Sequence, residues 1–484
     1  MFGTCGGVTY DTIILGDTMK EFNKTRALRK LKFKQNKGRY IKYTTLGISC
    51  LILVLGVMYF TFAKFESKSP EWTLINGKVK YDGGGDENIV AIYKDGEKVD
   101  EIPSKNSGYT LGKAECTNGA TAKWNYDEWA LITYMSTKTK CSLYFVKIGT
   151  EFLKNLLEET DATSTEVINK GTDLSGCTNT LAYDGTEDNN LRYVGANPCN
   201  YVTYNGETAG WRIIGVFNNV KTNSDGTTNE TLIKLIRKDS LGSYSWDTSS
   251  SGTNKGYGIN QWGASGTYEG ADLMNELNKD YLGTSWAGST WYNGKGNSKT
   301  ASKPTTTLNS TAQNMIQDVL WNTGTEGNNT SSTWTPPNMY TYERSTNTGK
   351  PCSSGDSCND SVTRTTTWYG KVALMYPSDY GYATAGGTTT SRAPCLTTSM
   401  YKWSTNDDCY NNDWLFESSF NQLTLSPARY TASPYGVFSV FNNGRVDWDC
   451  VANTDRVVYP VVFLKLSVPI TGGTGTSTDP YTLG

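Results

Sequence analysis

Any chemistry this chain performs has to run without imidazole, because its 484 residues include no histidine. Ser-His-Asp and Cys-His catalysis, imidazole bases and His-ligated zinc are thereby excluded. Carboxylate, lysine, tyrosine and cysteine chemistry remain. Asp413, Glu417, Asp447 and Asp449 are available as paired carboxylates. Retaining glycoside hydrolysis needs two such groups about 5 Å apart, a spacing that acidic surfaces also offer by chance. A second set, Tyr430, Tyr435, Asp447, Trp448 and Asp449, mixes aromatic faces with carboxylates, beside Phe438 and Phe441. Stiff aromatic area binds partners at low entropy cost, and neighbouring carboxylates hydrogen-bond hydroxyls. In a strand Asp447 and Asp449 share one side and Val446 and Trp448 the other, so Trp448 can equally be core. These five residues are the expected ligand-binding set; no residue is assigned as catalytic.

Oxygen-rich loops at Asp184-Gly185-Thr186-Glu187-Asp188 and Asn406-Asp407-Asp408 leave calcium open, although neither fits the EF-hand pattern and Asp-Gly is commonly a turn. No other cofactor or metal motif is present. Arg212 and Arg456 flank apolar stretches and read as buried structural ion pairs. Of the 11 cysteines, nine follow residue 100 and none forms a CxxC pair. Disulfides are the default for such spacing in an oxidising compartment. Pairing by proximity gives Cys116–Cys141, Cys177–Cys199, Cys352–Cys358 and Cys395–Cys409, with Cys450 left over.

The elements that must position these groups follow from pattern. Residues 43–63 form a long uncharged apolar run that would reach roughly 32 Å as a helix, the thickness of a hydrocarbon core. Ten lysines and arginines between Lys20 and Lys42, against Glu21 alone, would keep the N-terminus inside and send the rest outside. The expectation is a single-pass membrane protein with a basic cytoplasmic segment at 1–42, an uncleaved signal anchor at 43–63 and extracellular domains. Residues 1–18 lack basic groups, and Met19-Lys20 resembles a start. Subtracting the 11 basic and 3 acidic residues of 1–64 leaves 34 against 44 beyond it, about −10, which disfavours nucleic acid as a partner.

Short alternating runs punctuated by Asn76-Gly77, Asp82-Gly83 and Asp95-Gly96 make residues 66–147 a small all-β sandwich, a stalk. Phe152, Leu153, Leu156 and Leu157 predict a short helix within a linker at 148–168. Residues 169–484 form one large head. Helical spacing at 268–282 and 311–322 interrupts short, mostly antiparallel strands at 192–194, 200–204, 211–217, 231–237, 371–376, 436–441 and 457–466. The fold class expected is α+β.

The stretches NNDWLFESSFNQLTLSP (411–427), GVFSVFNNG (436–444) and VVYPVVFLKLSVPI (457–470) resemble the C-terminal half of bacterial C-type-lectin-like domains. The branch is that of formylglycine-generating-enzyme-like proteins and retroelement variable receptors. Uncharacterised membrane-anchored bacterial surface proteins are similar over about 175–484, including 191–217, 370–383 and 471–484. The resemblance implies a C-type-lectin-like head whose binding surface precedes the last strand. The copper-binding cysteine pair of the enzymes and the Glu-Pro-Asn and Trp-Asn-Asp motifs of calcium lectins are missing from this sequence, so neither activity carries over. The expected function is adhesin- or receptor-like recognition of a glycan or protein ligand. An envelope enzyme cutting cell-wall polysaccharide with carboxylates, or a structural appendage subunit, are the alternatives.

Overall fold

The computed structural model describes residues 89–105, 107–117, 122–125, 130–133, 140–155, 168–169, 176–178, 180–248, 258–283, 290–294, 300–327, 329–347, 362–386, 392–428, 436–450 and 456–484. Residues Tyr430, Tyr435, Cys352 and Cys358 lie outside these, as do residues 43–63. Among the described residues the structure is mostly β, 39% strand against 19% helix, in several sheets. This corrects the α+β, two-helix expectation. Helical spacing at 268–282 yields only a short α-helix, Asp272–Asn275, running on into a π-helix, Glu276–Tyr281. At 311–322 the helix stops at Met315 and strands Ile316–Gln317 and Val319–Asn322 take over. There the buried Val319 and Trp321 alternate with half-buried neighbours, and the strand pairs with Thr367–Gly370. Tertiary pairing thus outweighs an ambiguous local period.

The single-pass membrane placement is corrected as well. Among the described residues no helix is long and apolar enough to cross a membrane. The α-helix Pro336–Glu343, for example, has 8 residues and rises only about 12 Å, against about 30 Å of hydrocarbon.

In the small N-terminal unit the strands run in the order Glu97–Val99, Ile89–Lys94, Cys141–Lys147, Tyr109–Cys116. The middle pair is parallel and the outer pairs antiparallel. Alternation along CSLYFVK buries Cys141, Leu143 and Phe145 against Ile92 and Ile102. The Asp95-Gly96 turn has φ of 50° and 86°, the two positive values that a two-residue hairpin between twisted strands requires. The described strands form a four-stranded sheet and a separate hairpin, Ala122–Asn125 with Ala130–Thr133. Cys116 and Cys141, register partners, are joined by a disulfide. The helix Gly149–Asn155 then packs onto the head. Leu153 is buried in the main core, Phe152 meets Tyr481 edge-on at 5.7 Å, and Gly149 donates to the Val468 carbonyl at 3.2 Å.

The head is built on an 11-stranded sheet whose centre is the long strand Glu207–Lys221 beside Asn229–Arg237, which pairs on its other edge with Val461–Leu464. A four-stranded sheet, Val446–Cys450, Gly436–Val440, Asn421–Ala428 and Arg456–Val457, packs into the same core. Much of the chain's aromatic content is spent here: Trp211, Trp246, Trp262, Trp321, Trp334 and Trp403 are fully buried. Two further disulfides, Cys177–Cys199 and Cys395–Cys409, tie loops to the head. One glycine positions the site described next. Strand Leu191–Tyr193 pairs antiparallel with Glu207–Lys221 where the latter's register on Asn229–Arg237 shifts, and a Cβ at Gly215 would lie 2.1 Å from the Leu191 carbonyl oxygen. Only glycine admits that approach, which brings Arg192 over the sheet.

Candidate functional site

The expected site on Val446–Cys450 is largely self-satisfied. Asp447 and Asp449 are half-buried and each faces an arginine: Arg445 Nη2 lies 3.3 Å from Asp447, and Arg456 Nη2 contacts Asp449 directly. Burial raises the Asp447 carboxyl above the usual range, partly offset by the Trp448 amide and Arg445. Trp448 pairs with Phe438 in register and packs against the main core. Asp413 is buried and pushed well up by burial, while Glu417 accepts from the Ser419 amide. Arg456 makes the ion pair expected of it. Arg212 instead donates to Asn200, Asn197 and the Pro198 carbonyl and lies between the rings of Tyr201 and Trp414, at 4.3 and 4.5 Å.

A different constellation gathers around Arg192. Its Nε donates to Asp184 at 2.9 Å and its Nη1 to Asp379 at 2.8 Å, with all three side chains no more than 1% exposed. The guanidinium lies 4.6 Å from the Phe217 ring and 4.9 Å from that of Tyr382. Lys234, also fully buried, contacts the second oxygen of Asp379. Each member arrives from a different element. Asp184 directly follows the strand Thr180–Tyr183; Arg192 sits in Leu191–Tyr193, and Lys234 in the apolar strand Asn229–Arg237. Asp379 caps the helix Pro377–Ala383 by accepting from the Tyr376 amide at 2.9 Å.

Burial and charge oppose each other throughout. Burial alone would raise Asp184 and Asp379, but Arg192 and, for Asp379, Lys234 outweigh it and hold both below the usual carboxylate range. Burial draws Lys234 down to about 8 despite Asp379. It pushes Glu343 up to about 7, against Arg344 and the two hydrogen bonds from Ser378 at 2.9 and 2.6 Å.

Asp184 also accepts from Thr186 and Asn190, so the Asp-Gly loop considered for calcium closes as a hydrogen-bonded turn around an arginine. Among the described residues no group of three or more acidic or cysteine side chains is arranged to hold a metal.

Two clefts open on this floor and share Glu187, Asp188 and Arg344 as walls. The first, ≈ 360 Å³, adds Asn218, Asn219, Lys234, Trp321 and Tyr376; the second, ≈ 660 Å³, adds Asp184, Thr186, Tyr340, Tyr382 and Leu396. The dividing wall is fixed from both sides. Arg344 lies 3.3 Å over the Tyr340 ring and 3.7 Å from Asp188, and Asp188 accepts from the Tyr340 hydroxyl and from Asn219 at 2.9 Å. The sequence held one signal for this place, a lysine inside the apolar run TLIKLIR, where the strand must bury an ammonium beside a counter-charge. Comparison with family models, with curated proteins and with solved structures finds no match.

Proposed function

We propose that this chain is a binding protein that recognises a polyhydroxylated ligand, a glycan, in the twin clefts around Asp188 and Arg344. The observation that carries this reading is the shared wall of those clefts, a preorganised acid–arginine pair seated on a buried ion network. The Arg344 guanidinium, the Asn219 amide and the carboxylates of Glu187 and Asp188 supply the donors and acceptors that vicinal hydroxyls require. Tyr340, Tyr376 and Tyr382 supply apolar faces beside them. The buried charges beneath are matched to one another, which supports holding a ligand over cleaving one. Three disulfides fit a protein that works in an oxidising compartment.

The test is the full chain on a glycan array, followed by calorimetry on any hit. Asp188→Ala and Arg344→Ala each remove a charge-assisted hydrogen bond and should weaken binding by roughly ten-fold or more. An array with no signal above background overturns the proposal. So does undiminished binding by both variants. Release of shortened oligosaccharides during incubation would put the carboxylate hydrolase in its place.

A further inference from the structure

Lys234 and Asp379 meet in a setting unlike an ordinary salt bridge. They lie 145 residues apart in sequence, both side chains are no more than 1% exposed, and Nζ contacts Oδ2 directly. Around Nζ stand the rings of Tyr376, Phe217, Phe463 and Trp321, at 4.4, 5.0, 5.5 and 5.6 Å. The carboxyl is polarised on both oxygens. Arg192 donates to Oδ1 at 2.8 Å, and the Tyr376 amide donates to Oδ2 at 2.9 Å. An amine stripped of water, in contact with a carboxyl whose Oδ1 already faces a guanidinium, brings together the two groups an amide would join and the donor that would stabilise the oxyanion.

We propose that Lys234 and Asp379 condense into an intramolecular amide that staples the central strand Asn229–Arg237 to the helix Pro377–Ala383. One proton passes from the ammonium to Oδ2 along the existing contact, giving amine and carboxylic acid. The freed lone pair of Nζ attacks Cγ, and Arg192 stabilises the negative charge on Oδ1. A second proton then moves from nitrogen to Oδ2, the Cγ–Oδ2 bond breaks, and water leaves. The Nζ–Cγ bond replaces the Cγ–Oδ2 bond, and neither oxidant nor co-reactant is needed. Burial draws Lys234 down to about 8 while Lys234 and Arg192 hold Asp379 below the usual carboxylate range, so the first proton transfer runs uphill and sets a slow condensation. Charge stays balanced, since loss of the Lys234–Asp379 pair leaves Arg192 matched to Asp184. Lys234 borders the cleft of ≈ 360 Å³, which gives the expelled water a way out. In bulk water hydration favours the separated ions; in this interior the neutral amide removes two buried charges at once. The staple is independent of what the clefts hold.

The experiment is mass spectrometry of the purified, reduced, denatured full chain. The intact mass should fall short of the sequence by one water. Digestion with a protease that cuts after lysine and arginine should leave the Lys234 bond uncut and yield a branched peptide joining 222–237 to the segment holding Asp379. Lys234→Met and Asp379→Ala should each restore full mass; should either fail to fold, the wild-type digest decides alone. A full-length mass with a linear peptide ending at Lys234 overturns the proposal, and so does a water deficit located at any other pair.

Discussion

Replacing Arg192 with methionine tests whether the buried network holds the head together. The substitution keeps an unbranched, apolar stem over Phe217 and Tyr382 but removes the guanidinium that Asp184 and Asp379 share. Removing one partner of a buried ion pair costs about 3–5 kcal/mol, because the other charge stays behind without compensation. Asp184 keeps its bonds from Thr186 and Asn190, and Asp379 keeps Lys234 and the Tyr376 amide, so the loss should fall near the lower figure, about 3 kcal/mol.

The dependence on pH follows from the same contacts. Asp184, and Asp379 in any chain whose amide with Lys234 has not formed, are held below the usual carboxylate range in the folded state. Their contribution is therefore complete above the unfolded-state value, about 4, and is lost as pH falls through the lower folded-state value. The wild type should outlast the variant most at neutral pH, and the gap should close toward pH ~3 as the variant's carboxyls become neutral. Urea unfolding followed by tryptophan fluorescence, at neutral and acidic pH, measures both. A difference under about 1 kcal/mol at neutral pH, or one that does not shrink in acid, would refute the network as a stabilising unit.

Two further outcomes follow from single residues. Glu343, pushed up to about 7 by burial, keeps a proton that the unfolded chain has lost, so stability should decline as pH rises from about 4.5 to 7. Glu343→Gln should abolish that decline, worth up to roughly 3 kcal/mol, in urea midpoints compared at pH 5 and 8. Gly215→Ala places a Cβ 2.1 Å from the Leu191 carbonyl oxygen and should cost about 1–3 kcal/mol or more by forcing the strand bearing Arg192 off the sheet, read as a lowered thermal midpoint.

What the sequence determined by itself was local. Alternation and the Asp-Gly turn at 95–96 mark the small sheet, and cysteine spacing points to the three pairs joined at Cys116–Cys141, Cys177–Cys199 and Cys395–Cys409. Lys234 in its apolar strand announced a buried charge without naming its partner. Helical spacing at 268–282 and 311–322 misled, because a three-to-four period in a short apolar run does not say whether a neighbouring strand will claim it. Asp447 and Asp449 looked free because the arginines that face them are chosen by pairing and loop geometry rather than by local spacing alone. Only the tertiary structure brought Asp184, Arg192, Lys234, Glu343 and Asp379 together. Four stretches of chain, around 184–192, 234, 343 and 379, converge where a glycine lets two strands touch, and desolvation there gives their charges a meaning that no one-dimensional pattern carries.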